Sequence, residues 1–167
     1  TAKNLKLTNY HELASRAAAL SAELKEKERE ISSLEAEIAA SKTADLMKDA
    51  KQIGGVRLVT ADIGEAGADA LRSLCDKALE SGDDIIAVFA GKNAEKGTAS
   101  FACRVGKKAI ECGAHAGNIV REVARVAGGA GGGKPDSAMA GAKDDSKIPE
   151  ALKKASEIVG AMLLGKR

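Results

Sequence analysis

The residues best suited to chemistry lie between positions 128 and 136. There Gly128-Gly129-Ala130-Gly131-Gly132-Gly133-Lys134-Pro135-Asp136 sets five glycines in six residues ahead of a lysine. Such a run leaves almost no side chain between the backbone and whatever approaches it, so it reads as a contact loop whose N–H groups can meet phosphates or a flat base. Gly128, four residues, Gly133 and Lys134 match most of a phosphate-binding P-loop. The match fails twice. Pro135 stands where a Ser or Thr hydroxyl should hold magnesium, and a predicted helix precedes the glycines where a strand is required. Nucleotide hydrolysis is therefore not expected. The two histidines, His11 and His115, are far apart and have no carboxylate cluster beside them, so no metal site is expected, and His115 reads as a capping or packing residue. Cys75, Cys103 and Cys112 lack paired-thiol spacing, which argues against a disulfide framework and fits a reducing, cytoplasmic setting. No catalytic residue and no cofactor follow from this inventory.

Around the glycines the charge is positive. Arg121, Arg125, Lys134 and Lys143 lie near them in sequence, and residues 92–143 hold nine basic against four acidic residues, whereas residues 54–91 hold three against seven. A polyanion would prefer residues 92–143, although the net charge of the chain is only +2. Lys107 and Lys108 rank lower, because an unplaced turn separates them from the glycines. Aromatic residues make up 2% of the chain, so the stacking surface of single-strand RNA binders cannot be assembled and any nucleic-acid contact must rest on backbone and charge. No apolar run approaches the roughly 18 residues of a membrane span.

The elements that must position these residues are legible in the spacing. Residues 11–51 contain no Gly or Pro and are rich in Ala, Glu, Leu, Lys and Ser, which predicts a continuous helix. Leu13, Ala17, Leu20, Leu24, Ile31, Leu34 and Ile38 alternate by three and four, with Lys27 breaking the seam, so the helix is expected to pair or to project as an arm. Gly54 and Gly55 are expected to end it, giving an arm over residues 1–53 and a globular body over residues 54–167. Thr1, with no initiator Met and no signal-peptide core after it, is expected to be a cut point inside a longer polypeptide. Within the body, short apolar runs alternate with helical patterns. Strands are predicted at Val56–Ala61, Asp84–Ala90 and Thr98–Val105, helices at Asp69–Ser81, His115–Val126 and Glu150–Leu164, and a short final strand near Met139. The fold class is α/β: a long coiled-coil-like arm followed by a small sheet covered by helices.

The stretch from Gly128 through Met139-Ala140-Gly141 resembles the glycine-rich signature of the DHH-associated domain, found in alanyl-tRNA synthetases, alanyl-tRNA editing proteins and DHH phosphoesterases. Gly117-Asn118-Ile119-Val120-Arg121-Glu122-Val123-Ala124 resembles the helix that precedes this signature, and Ile148-Pro149-Glu150-Ala151-Leu152 the closing helix, so the resemblance spans roughly residues 54–164. Ala142 departs from a second glycine common in the synthetases. A helical arm directly before the body is the synthetase arrangement within the family, and it implies the C-terminal domain of an alanine–tRNA ligase rather than a phosphoesterase.

The resemblance implies a non-catalytic module that touches the outer corner of alanine-specific tRNA and works with the other domains of the same synthetase. Gly128, Gly129, Gly131, Gly132, Gly133, Lys134, Arg121, Arg125 and Lys143 are the expected contact residues. The competing reading is an oligomerisation domain whose arm forms a homodimer, and a third is a phosphoesterase or editing-protein domain. The purified chain is expected to turn over neither ATP, mischarged alanyl-tRNA nor a cyclic dinucleotide, as phosphate-release and deacylation assays would register; turnover abolished by a point change within the chain would contradict this.

Overall fold

The structure, a computed structural model, describes residues 16, 19–27, 45–93 and 96–165. The chain divides into two units, Thr1–Ala39 and Ala40–Arg167. In the first, Arg16 and residues 19–27 are helical, and the seam residues Leu20 and Leu24 stand 44% and 62% exposed. Leu13, Ala17, Ile31, Leu34 and Ile38 lie outside the described residues.

The second unit holds a six-stranded sheet. In chain order its elements are β1 (Lys51–Ile53), β2 (Val56–Glu65), α1 (Ala68–Leu79), β3 (Ile85–Asn93), β4 (Thr98–Val105), α2 (Lys107–Glu111), α3 (Ala116–Val126), β5 (Ala130–Gly133), β6 (Ser137–Ala142) and α4 (Ile148–Leu164). The strand order is β1-β2-β3-β4-β6-β5, and only β2 and β3 run parallel, as the crossover through α1 requires. Two expectations are corrected here. Residues 51–53 are a strand, not the end of a helix, because Gly54 and Gly55 take φ of 58° and 89° and so form the two-residue turn of a β1–β2 hairpin. The expected boundary at residue 53 therefore cuts a hairpin. Within the expected contact loop, Ala130–Gly133 is likewise a strand, pairing with β6 along the sheet edge, while Gly128 and Gly129 remain in the connection after α3.

Helices cover both faces of the sheet. On one side α1 lies over β3 and β4 and buries Leu71, Leu74, Cys75 and Ala78. On the other, α3 lies over β4, β6 and β5 while α4 lies over β2 and β3. The predicted alternation in β4 holds, with Ala99, Phe101, Cys103 and Val105 in the cluster under α3 and α4. Strand β3 is buried from Ile85 through Gly91, as a strand sandwiched between helices must be. Both phenylalanines, Phe89 and Phe101, are fully buried. The rest of the core is mainly Ala, Val, Ile and Leu, so helices and sheet pack through short side chains.

One ion pair ties the start of the parallel pair. Arg57 donates from Nε and Nη2 to both carboxylate oxygens of Asp84, at 2.8 and 2.7 Å, and its Nη2 also reaches the Ser81 carbonyl at 3.2 Å. The guanidinium holds the Asp84 carboxyl below its usual range. A depressed folded-state pKa stabilises the fold above the unfolded value near 3.9 and ceases to do so as pH falls through the folded value. Asp84→Asn is therefore expected to lower the thermal midpoint at pH 7 by a few degrees, corresponding to about 1 kcal/mol at most for a solvent-screened pair. The gap from the parent should narrow in thermal melts as pH falls below the unfolded value near 3.9, and a gap independent of pH would contradict the assignment.

Candidate nucleic-acid interface

Helix α3 sets the geometry of the glycine segment from both ends. Ile119, Val120, Val123, Ala124 and Ala127 are buried, while Arg121 and Arg125 are exposed on its outer side. His115 caps the helix, its Nδ1 accepting the Asn118 N–H at 3.4 Å, in line with its reading as a capping residue. The N–H groups of Ala116 and Gly117 donate to the Pro135 and Lys134 carbonyls at 2.8 and 3.3 Å, which fastens the start of α3 to the β5–β6 turn. Gly117 allows this approach, because a Cβ there would stand 2.5 Å from the Gly133 carbonyl oxygen. At the other end, the Gly128 N–H bonds the Arg125 carbonyl and the Gly129 N–H bonds the Ala124 carbonyl, the two hydrogen bonds of a Schellman motif. Gly128 supplies the left-handed residue this motif needs, with φ of 65°.

The remaining glycines divide by position. A Cβ at Gly129, Gly131 or Gly133 would be driven into β6, with nearest atoms at 2.2, 2.2 and 2.5 Å. These three positions are closed by the neighbouring strand, so their bare backbones are what let β5 pair with β6. Gly132 differs, since its Cβ would meet only the Arg121 guanidinium at 3.7 Å. The Lys134 N–H bonds the Ser137 carbonyl at 2.8 Å around the Pro135–Asp136 turn. Alternation along an antiparallel ladder then turns the Gly131 N–H and C=O to the free edge. The segment thus presents an exposed backbone edge beside an arginine.

The expected cations stand along this edge. Arg121 lies beside Gly132, Lys134 opens the turn, and Lys143 follows β6; all three are exposed, with no ion pair among the described residues. Arg125 is less available, because its Nη1 bonds the Glu122 carboxylate at 3.1 and 3.3 Å. Lys143 also lines a groove of about 590 Å³ with Gly128, Gly129, Gly141, Thr98 and Ser100. Lys107 and Lys108 sit on α2, which fills the turn between β4 and α3. Among the described residues no cluster of three His, Cys, Asp or Glu could hold a metal. Burial pushes the Cys75 thiol up to about 12, and Cys103 also well above its usual value, so neither is a nucleophile near neutral pH.

The chain belongs to the DHHA1 domain family, whose pattern matches residues 55–161. It is 38% identical over 152 residues to the alanine–tRNA ligase of Alkaliphilus oremlandii, covering 91% of this chain and 17% of that protein. It is 37% identical over 158 residues to that of Shouchella clausii, covering 95% and 18%. Among solved structures it is similar to the C-Ala domain of Aquifex aeolicus alanyl-tRNA synthetase, with a TM-score of 0.61, 29% identity, and 66% of this chain and 97% of that one covered. The chain spans under a fifth of the length of the curated relatives it matches. No helix among the described residues is long and apolar enough to cross a membrane.

The glycines can be separated by substitution. Gly131→Val is expected to destabilise the body by about 3 kcal/mol, the upper range for overpacking, because β6 cannot yield. Gly132→Ala should leave the thermal midpoint within a degree or two. Equal midpoints for the two variants in circular-dichroism melts would contradict the assignment of Gly131 to strand packing.

Proposed function

We propose that the chain is the non-catalytic, C-terminal tRNA-binding domain of an alanine–tRNA ligase. On this reading it contacts the outer corner of the alanine-specific tRNA and helps the aminoacylation and editing domains of the same polypeptide capture one molecule. The observation that carries the reading is the match of 91–95% of this chain to only 17–18% of ligases. It fits a module accessory to catalytic parts elsewhere. The exposed Gly131 backbone, the open Gly132 position and the uncommitted Arg121, Lys134 and Lys143 supply donors and charge for a phosphate-rich surface. Specificity would then come from tRNA shape, since both phenylalanines are in the core. The reading calls for no cofactor and no metal, and it places the chain in the cytoplasm.

A second reading, homodimerisation through the arm, draws on the exposure of Leu20 and Leu24. It is compatible with the first. Sedimentation of the chain with and without residues 1–39 separates them, because dimerisation by the arm would disappear on truncation while tRNA affinity would stay with the body.

The principal test is binding of labelled alanine tRNA transcript against a hairpin lacking the corner, each over a salt series. The parent should favour the intact tRNA. Arg121→Ala should weaken binding and flatten the salt slope by about one unit, and Arg125→Ala should do less because Glu122 already engages it. Equal affinity for the hairpin, or no effect of Arg121→Ala, would contradict the proposed surface.

A further inference from the structure

The helices leave one part of the sheet uncovered. On one side α3 and α4 together cover β2, β3, β4, β6 and β5, whereas on the other α1 lies over β3 and β4 and stops short of β6. Alternation along β6 sorts its side chains. Ala138, Ala140 and Ala142 are buried in the cluster under α3 and α4, so Ser137, Met139 and Gly141 turn to the uncovered side, Gly141 exposed and the other two half-buried. Register joins this strip to the edge strand, since Met139 stands opposite Gly132 and Gly141 opposite Ala130.

The flank of α1 beside this strip carries Arg72 and Asp76, one turn apart. Asp76 is engaged by Arg104, whose Nε lies 3.1 Å from its Oδ1. Arg72 reaches farther and donates from Nη2 to the Met139 sulfur at 3.2 Å. A thioether is a weak acceptor, so the guanidinium is held over β6 without a strong partner, and it has no ion pair among the described residues. Arg121 comes to the same backbone pair from α3, with its Nη2 3.7 Å from where a Gly132 Cβ would stand. Two exposed arginines, from helices on opposite sides of the sheet, therefore flank the Gly132–Met139 pair. Of the three residues β6 shows on this side only Met139 is large and apolar, which gives a protein partner little to bury, whereas guanidinium forks match phosphate oxygens.

We propose that the RNA interface passes over the edge strand onto the uncovered side of β6, where Arg72 binds a backbone phosphate of the same RNA that meets Arg121. The inference rests on the reading of the chain as an RNA-binding module. Arg72 belongs to residues 54–91, the net-acidic stretch, so charge counted along the chain passes over it. The fold reverses that count locally, because Asp76, the carboxylate one turn away, is already engaged by Arg104.

Fluorescence anisotropy of the full 167-residue chain with a labelled tRNA transcript, at several potassium chloride concentrations, tests it. Arg72→Gln keeps the stem beside Met139 and removes the charge. It should flatten the logarithmic salt slope by roughly 0.7 to 0.9 and weaken binding on the order of fivefold near physiological salt, the effect of one phosphate no longer neutralised. Its thermal midpoint should match the parent. Arg72→Lys, which keeps the charge, should keep the slope, and Lys107→Ala, which removes one charge from α2, should change neither slope nor affinity. If Arg72→Gln binds like the parent while Arg121→Ala still weakens binding, the contact on the α1 side is wrong and the RNA-binding reading stands. A parent chain that binds no tRNA overturns both. An equal loss in Lys107→Ala overturns the Arg72 contact in favour of general attraction. A weaker affinity that comes with a lowered midpoint and an unchanged slope overturns it in favour of a structural role. Self-association in sedimentation that Arg72→Gln abolishes, with tRNA binding intact, overturns it in favour of a second copy on this face.

Discussion

The body depends on one close approach, the pairing of β5 with β6 at a distance that excludes side chains. Gly129, Gly131 and Gly133 each direct the place of a Cβ into the neighbouring strand, where Ala138, Ala140 and Ala142 already stand. That approach closes the sheet edge, and the edge in turn receives α3. The helix is pinned at its start by the Lys134 and Pro135 carbonyls and at its end by the Gly128–Gly129 Schellman bonds. Helix, turn and strand thus form one loop of mutual constraint, in which the glycines give up side-chain packing to let three backbones meet. The cost is the large conformational entropy of ordering glycine, offset by burial of Ile119, Val120 and Val123 beneath the helix.

The same constraint shapes the candidate interface. Because β5 carries no side chains beyond Ala130, nothing projects from the edge to compete with an approaching partner. Charge must come from adjoining elements, and it does so unequally. Arg121 and Lys134 remain uncommitted, whereas Arg125 is engaged by Glu122. Arg104 is similarly spent, its Nε lying 3.1 Å from the Asp76 carboxylate. Ion pairing inside the body therefore engages two of the nine basic residues between 92 and 143, and of the others Arg121, Lys134 and Lys143 lie along the edge strand and the groove beside it.

Much of this architecture can be read from residue patterns, and the failures share a cause. The β4 alternation of Ala99, Phe101, Cys103 and Val105, the buried run of β3 and the apolar stripe of α3 each carry a period that survives in the fold. Glycine carries no such period. Gly54-Gly55 reads as a helix stop and instead turns a hairpin, and the glycine run reads as a loop although its residues 130–133 add a strand. In both places conformational freedom is visible in the sequence, but the partner that uses it is distant in the chain and is not. The basic residues behave alike: Arg121 and Arg125 look equivalent until Glu122 is seen to engage one of them.

The central claim is that the glycine edge strand faces RNA, and amide chemical-shift mapping addresses it directly. In a titration of the isotopically labelled body with unlabelled tRNA transcript, the account predicts the largest perturbations at Arg121, Gly131, Gly132, Lys134 and Lys143. The buried β2 and β3 amides should hold still. Perturbations confined to α2 around Lys107 and Lys108, or to α4, with the Gly131 and Gly132 amides unmoved at saturation, would contradict it.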